Sequence, residues 1–166
     1  MEKNKVNELA EKIFNDTYKI EVQVLEGGRL PSKANPNDAG FDVFATSDIT
    51  LYPGQVIKHP LNIKLKLPKG AWARIETKSG LGSKGMMVWA GVIDEGYRGI
   101  PHVIMSNIKM LSENGMTNPY PLEIKKGDKV AQITMNPHAN EFFVIGVDSV
   151  DADTSRGAGG FGSTGK

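Results

Sequence analysis

Apolar residues near the start of the chain recur at helical spacing. Val6, Leu9, Ala10, Ile13 and Phe14 fall at i, i+3, i+4, i+7 and i+8, with charged residues between them. That stripe predicts an amphipathic helix over 2–15, too short to be stable without something to pack on. From Lys19 the period drops to two. Ile20, Val22 and Val24 alternate with polar residues, the pattern of a strand with one buried face. Turn signals then recur at Glu26-Gly27-Gly28, Asn35-Pro36-Asn37, Pro53-Gly54, Pro68-Lys69-Gly70 and Lys126-Gly127-Asp128. Between them, strand-like runs cover 43–45, 49–52, 63–67, 72–76, 103–108, 129–134 and 141–147. Many short strands with such punctuation, and no alternation with helices, predict an all-β barrel or sandwich. The stretch 105–121 is less regular. Asn114-Gly115 reads as a hairpin turn and Asn118-Pro119 as a break, so it is expected to be an excursion between two strands.

The 166 residues suit a single domain. Its expected parts are a helical appendage at 1–17, a β domain at 18–150 and a C-terminal arm at 151–166. The 19 glycines and 9 prolines support many turns over long helices. The absence of cysteine excludes disulfides, thiolate zinc sites and cysteine nucleophiles. Twenty basic against nineteen acidic side chains leave a net charge of +1, which argues against a polybasic nucleic-acid binder. No apolar run approaches the ~18 residues of a membrane span, and the start lacks a signal-peptide core. No membrane partner and a cytoplasmic location are therefore expected.

Three stretches carry candidate chemistry. The arm runs Arg156-Gly157-Ala158-Gly159-Gly160-Phe161-Gly162-Ser163-Thr164-Gly165-Lys166. It matches a dinucleotide fingerprint and most of a P-loop, but neither motif works without a following helix. The underlying physics still applies. Glycines let backbone N–H groups approach an anion, Arg156 adds a bidentate phosphate donor, Ser163 and Thr164 add hydroxyls, and Phe161 can stack on a base. A mobile lid over a nucleoside phosphate and a plain disordered tail both fit that composition. Lys78-Ser79-Gly80-Leu81-Gly82-Ser83-Lys84-Gly85 is a second anion cradle, or else an ordinary polar turn. In Gly91-Val92-Ile93-Asp94-Glu95-Gly96-Tyr97-Arg98-Gly99, Val92 and Ile93 are expected to be buried. Asp94 then stands where a strand gives way to a turn, either as a general base or as a turn cap. Asp38 and Asp42 could support a metal or its waters, with Mg²⁺ held mainly by phosphate oxygens. His59, His102 and His138 each adjoin a proline and share no metal-ligand spacing, so a structural role is expected of them.

In order along the chain, five stretches resemble the motifs of the trimeric deoxyuridine triphosphatase (dUTPase) family. They are Asp38-Ala39-Gly40-Phe41-Asp42-Val43-Phe44-Ala45, Lys78-Ser79-Gly80-Leu81, the stretch from Gly91 to Gly99, Gly127-Asp128-Lys129-Val130-Ala131-Gln132-Ile133, and Arg156-Gly157 through Gly165. The resemblance spans about residues 19–166. It implies a jelly-roll-like β fold, a homotrimer with sites shared between subunits, and Mg²⁺-dependent cleavage of dUTP to dUMP and pyrophosphate. That activity keeps uracil out of DNA and supplies dUMP for dTMP synthesis. The resemblance also implies roles. Asp94 activates the water that attacks the α-phosphorus, and Tyr97 packs under the deoxyribose. The backbone at Ala90 and Gly91 reads the uracil edge. Lys78, Ser79, Gly80 and Gln132 meet phosphate oxygens, and Asp42 lies near the metal through water. Arg156, Gly162, Ser163 and Thr164 close on the outer phosphates while Phe161 covers the base.

The chain departs from the family pattern in three places. Lys78 stands where an arginine is usual, and a lysine lacks the planar fork that fixes phosphate geometry. Gly96 replaces a common aspartate, which is expected to loosen its turn. The amphipathic start and the 105–121 excursion are extra; neither touches a motif, and both offer surfaces to a protein partner.

Overall fold

The computed structural model describes residues 19–109, 121–137, 145–147 and 149. Among these residues the chain forms eleven strands and one single-turn helix, α1 (Ser79–Gly82). Every strand pairing is antiparallel. One sheet of four strands has the order β2 (Gly40–Phe44), β11 (Lys129–Pro137), β6 (Ala71–Glu76), β8 (Val92–Ile93). A second has the order β4 (Val56–Pro60), β9 (His102–Asn107), β7 (Met86–Trp89). Two ribbons complete it: β1 (Glu21–Val24) with β5 (Ile63–Lys66), and β3 (Ile49–Leu51) with β10 (Leu122–Ile124). The expectation of an all-β, jelly-roll-like fold is met.

Alternation decides which face each strand buries. In β5, Ile63 and Leu65 point inward while Lys64 and Lys66 face water. In β3, Ile49 and Leu51 are buried around an exposed Thr50. Central strand β9 buries Val103, Met105, Ser106 and Asn107. The core joins these side chains to Val43, Ala73, Ile75, Met86, Ala131 and Ile133. Buried polar groups are satisfied. The Asn107 amide donates to the Leu51 carbonyl (3.1 Å) and its oxygen accepts from the Lys109 N–H (3.1 Å). His59 Nε2 accepts the Thr46 N–H (2.9 Å). Burial, and secondarily the nearby His102, pushes the His59 pKa down, so the ring stays neutral as a structural acceptor, as expected.

The strands expected at 20–24, 43–45, 49–52, 63–67, 72–76, 103–108 and 129–134 all occur, with shifted ends. Strands β4, β7 and β10 were not expected. The helix expected at 2–15, most of the 105–121 excursion, most of 141–147 and the arm from Asp151 lie outside the described residues.

Strand β8 is seated by a close backbone approach. Ile75 N–H donates to the Gly91 carbonyl (2.8 Å), and a Cβ on Gly91 would sit 2.2 Å from the Ile75 carbonyl oxygen. That contact is with rigid backbone, so a side chain here forces β8 off β6. Gly91→Ala is therefore expected to lower unfolding free energy by roughly 2–3 kcal/mol in urea denaturation. Gly96, whose Cβ position meets nothing within 4 Å, is expected to accept alanine within about 0.5 kcal/mol. Equal losses at the two positions would contradict this seating.

Candidate active site

The four-stranded sheet has one apolar and one polar face. Val43, Ala131, Ile133, Ala73 and Ile75 turn to the core. The other face follows from the register, which sets Gln132 of β11 opposite Asp42 on one side and Glu76 on the other. Directly opposed residues point to the same face, so these three polar side chains form one rung across β2, β11 and β6. Gly40 makes room for Gln132, because a Cβ there would lie 2.9 Å from the Gln132 side-chain oxygen. The Gln132 amide reaches the Thr77 carbonyl at 3.5 Å.

Asp42 is the charged centre of the rung, only 5% exposed. A buried carboxylate is costly unless paired. Here the Lys78 ammonium bonds its Oδ1, and the Lys129 ammonium bonds its Oδ2 at 2.7 Å. Burial by itself raises the Asp42 pKa; the hydrogen bonds from Lys129 and Lys78 outweigh it and hold the group below the usual carboxylate range. Lys78 comes from the loop between β6 and α1, where its carbonyl accepts from the Leu81 and Gly82 N–H groups (3.0 and 2.8 Å). Thr77 pins the same loop by accepting the Val88 N–H at 2.8 Å. Ser79 and Gly80 then stand exposed beside the lysine. Lys129 opens β11, next to a register shift between Lys129 and Ala131. The structure thus gathers Asp42, Lys78, Ser79, Gly80 and Gln132, and adds Lys129, which spacing alone did not single out. Asp38 serves its own turn, accepting the Asn35 backbone N–H at 2.9 Å.

Asp94 occupies the first position of a tight turn closed by Tyr97 N–H to the Asp94 carbonyl (3.0 Å). The turn is braced from both sides. Glu95 Oε2 accepts the Gly70 N–H at 2.8 Å. Arg98 donates to the Glu95 and Tyr97 carbonyls at 2.6 and 2.9 Å. Among the described residues the Asp94 carboxylate itself neither caps an N–H nor pairs with a cation, so the turn-cap alternative falls away. The expected burial of its neighbours is half right: Ile93 is buried, but Val92 is 63% exposed. Val92 pairs with Arg74 on the same face of the sheet as the polar rung, and among the described residues it lies open to solvent. Gly96 has no positive φ and open space at its Cβ position, so this turn does not require a glycine there. The Tyr97 hydroxyl donates to the Ile100 carbonyl (3.1 Å), and its ring crosses Gly99, where a Cβ would come within 2.4 Å of the hydroxyl. Ala90 has a φ of 44°, a left-handed conformation that is strained for alanine and turns the backbone sharply just before Gly91.

These two groups of residues do not meet within one chain. Extending the register of β6 with β8 sets Asp94 opposite Trp72, four residues along from Glu76 on the Gln132 rung. At ~3.3 Å per residue and ~4.8 Å per strand, Asp94 lies about 16 Å from Gln132. Arg156, Phe161, Gly162, Ser163 and Thr164 lie outside the described residues.

The described residues hold no group of three His, Asp or Glu side chains suited to a metal. Both Asp42 oxygens already carry a lysine, yet each keeps a lone pair that can accept from a metal-bound water. The donor set therefore fits Mg²⁺ borne by phosphates and reached through water, and does not make a direct protein site.

Comparison with known proteins places the chain among relatives. A family model described as dUTPase matches residues 26–165. A deoxyuridine 5'-triphosphate nucleotidohydrolase of Candida glabrata is 36% identical over 85% of this chain and 92% of its own. The Clostridium tetani enzyme of the same name is 35% identical over 90% of this chain and 98% of its own. In fold, the chain is similar to a Staphylococcus bacteriophage 80alpha dUTPase mutant with dUpNHpp (TM-score 0.77, 24% identity, 90% and 100% coverage). It is also similar to a phage phi11 dUTPase described as coordinating a structural Mg(II) ion (TM-score 0.64, 23% identity, 80% and 97% coverage).

The lowered Asp42 pKa makes a signed prediction about acid stability. A carboxylate with a depressed folded pKa stabilises the fold above its unfolded pKa, and that contribution is lost as pH falls through the folded value. The stability difference between wild type and Asp42→Asn is expected to be constant above about pH 5 and to shrink steadily below it. Urea titrations across that range measure it. A difference that grows as pH falls would mean the lysine pairs do not stabilise the charged form.

Proposed function

The chain belongs to the dUTPase family, and from that premise we propose that it hydrolyses dUTP to dUMP and pyrophosphate, with Asp94 activating a water for attack on the α-phosphorus. The observation that carries this reading is the Asp94 carboxylate: unpaired among the described residues, exposed, and presented by a turn that Glu95 and Arg98 brace. A general base needs that combination of free oxygens and fixed position. Phosphoryl transfer otherwise asks a protein mainly for positioning and charge neutralisation. Lys78, Ser79, Gly80 and Gln132 supply these on the polar rung. Mg²⁺, when bound, supplies further neutralisation on the phosphate oxygens, with Asp42 reaching its waters. Tyr97 stands under the deoxyribose and the Ala90–Gly91 backbone turns toward the base edge. Arg156, Gly162, Ser163, Thr164 and Phe161 are assigned to closure over substrate, which shuts out water other than the nucleophile.

The separation of about 16 Å between Asp94 and Gln132 exceeds what one triphosphate bridges between its α-phosphorus and neighbouring phosphates. A working site therefore takes Asp94 and Tyr97 from one subunit and the phosphate cluster from another, in a cyclic trimer. Exposed apolar side chains support such an assembly: Val56, Met87, Trp89 and Val92 lie open on a single chain. A cytoplasmic location remains part of the same reading.

The test assays all deoxynucleoside triphosphates and UTP with Mg²⁺, following pyrophosphate, for wild type and Asp94→Asn. The expected outcome is turnover of dUTP alone. Asp94→Asn should lower it by roughly 10²–10⁴, with dUpNHpp affinity within a few-fold. Loss of dCTP with ammonia release would point instead to a deaminase of the same fold. An Asp94→Asn protein that keeps most of its turnover would remove Asp94 as the base.

A further inference from the structure

Among the described residues His59 is the one buried histidine, 6% exposed, and its ring is spent on a backbone donor. Nε2 accepts the Thr46 N–H at 2.9 Å, and among the described residues that N–H has no other acceptor. The Thr46 hydroxyl lies 3.0 Å from the same nitrogen and donates its own proton to the Pro60 carbonyl at 3.0 Å. Thr46 thus grips β4 at two successive residues. Only a ring with a free lone pair on Nε2 can hold this arrangement. A proton there could find the Thr46 hydroxyl oxygen, but it would set the ring N–H against the Thr46 N–H. That forfeits the backbone bond and leaves a half-buried donor without a partner.

What Thr46 holds is a junction between strands. It follows Ala45, whose N–H donates to the Asp128 carbonyl at 2.9 Å and whose carbonyl accepts the Gly127 N–H at 2.8 Å. The next residue, Lys129, pairs with Asp42 of β2. The bond from Thr46 to His59 therefore ties β4 to the place where β2 ends and β11 begins. The surroundings give a protonated ring no support. Lys58 is exposed and alternates with His59 along β4, so it turns to the other face. From β9, His102 bears on the ring as a like charge. On the loop after β2, the Asp48 carboxylate is engaged by the Lys126 N–H at 2.8 Å and the Lys125 ammonium at 3.1 Å. With burial first and His102 second opposing the charge, the folded ring takes up a proton less readily than the unfolded chain does.

We infer that His59 and Thr46 form an acid-sensitive latch: a proton on His59 Nε2 releases the Thr46 N–H and loosens the junction of β2 and β11 that carries Lys129. The latch is a property of the fold and does not depend on the substrate. Its sign follows from linkage. A histidine that resists protonation in the folded state stabilises fully above its unfolded pKa of about 6.5, and that contribution is lost as pH falls from there until the folded ring is itself protonated.

Amide hydrogen exchange, followed residue by residue by NMR from about pH 7.5 down to about pH 5, tests this on wild type, His59→Gln and His102→Gln. Protection is taken relative to the intrinsic exchange rate at each pH. Glutamine keeps a side-chain oxygen that can accept the Thr46 N–H and has no proton to gain. In wild type, protection at Thr46 is expected to fall below about pH 6.5 by up to roughly tenfold per pH unit, with the Ala45 and Gly127 amides following it. The Ile108 N–H, which donates to the Gly85 carbonyl at 2.8 Å, is expected to show no such fall. His102→Gln is expected to keep the fall at Thr46, and His59→Gln to abolish it. Equal pH dependence at Thr46 and Ile108 in wild type would overturn the latch without any variant having to fold. So would a fall that persists in His59→Gln, or one that disappears in His102→Gln. Loss of protection at Thr46 with Ala45 and Gly127 unmoved would overturn its hold on the junction.

Discussion

A carboxylate that is buried must be paired, and in this chain that constraint assembles the cluster proposed to meet phosphate. Asp42 sits on β2, Lys78 beyond the end of β6 and Lys129 at the start of β11. None of the three is near another in sequence. The two ion pairs draw them together, and the strand register then brings Gln132 onto the same rung. Removing the carboxylate would leave two like charges close together without a counter-ion. Removing one lysine would leave half of a desolvated anion uncompensated. The cluster is thus a single unit whose parts stand or fall together, unlike the exposed Lys66–Glu21 and Lys125–Asp48 pairs, which contribute little.

The second constraint is the width of the sheet. Adjacent strands are ~4.8 Å apart, and β8 lies two strands from β11. Residues displaced both across and along such a sheet cannot share one phosphate. Asp94 and Gln132 are so displaced. Gly91 fixes β8 against β6 by backbone contact, so β8 cannot slide to close the distance. Val92 and Trp89, exposed among the described residues, fit the same proposal, since exposed apolar side chains mark a contact surface.

Much of the fold was legible because one-sided burial imposes a period of two, as in Ile63 and Leu65 of β5. What escaped has local causes. Strand β4 ends in Pro60 and mixes Lys58 and His59 into a short run, β7 is a brief Met-rich segment between Gly85 and Gly91, and β10 has three residues. The proposed site was readable as five motifs, the last of them outside the described residues, and as residue chemistry at Asp94, Lys78 and Gln132. Lys129 was not, because its importance comes from an ion pair across the sheet, and spacing along a chain carries no sign of that. Val92 shows the converse: its apolarity predicted burial, yet it is 63% exposed among the described residues, because apolar character alone does not say what, if anything, covers a side chain.

The central claim is that a working site draws Asp94 and the phosphate cluster from different chains. Mixing two inactive variants tests it most directly. One carries Asp94→Asn, and the other Lys78→Ala with Gln132→Ala. In equal amounts, with subunit exchange shown by a labelled chain, random assembly of a cyclic trimer gives about one site in four an intact Asp94 and an intact cluster. The account predicts recovery of about a quarter of wild-type turnover. If exchange is complete and no activity returns, Asp94 and the cluster serve the same site from one chain, and the division of the site is wrong.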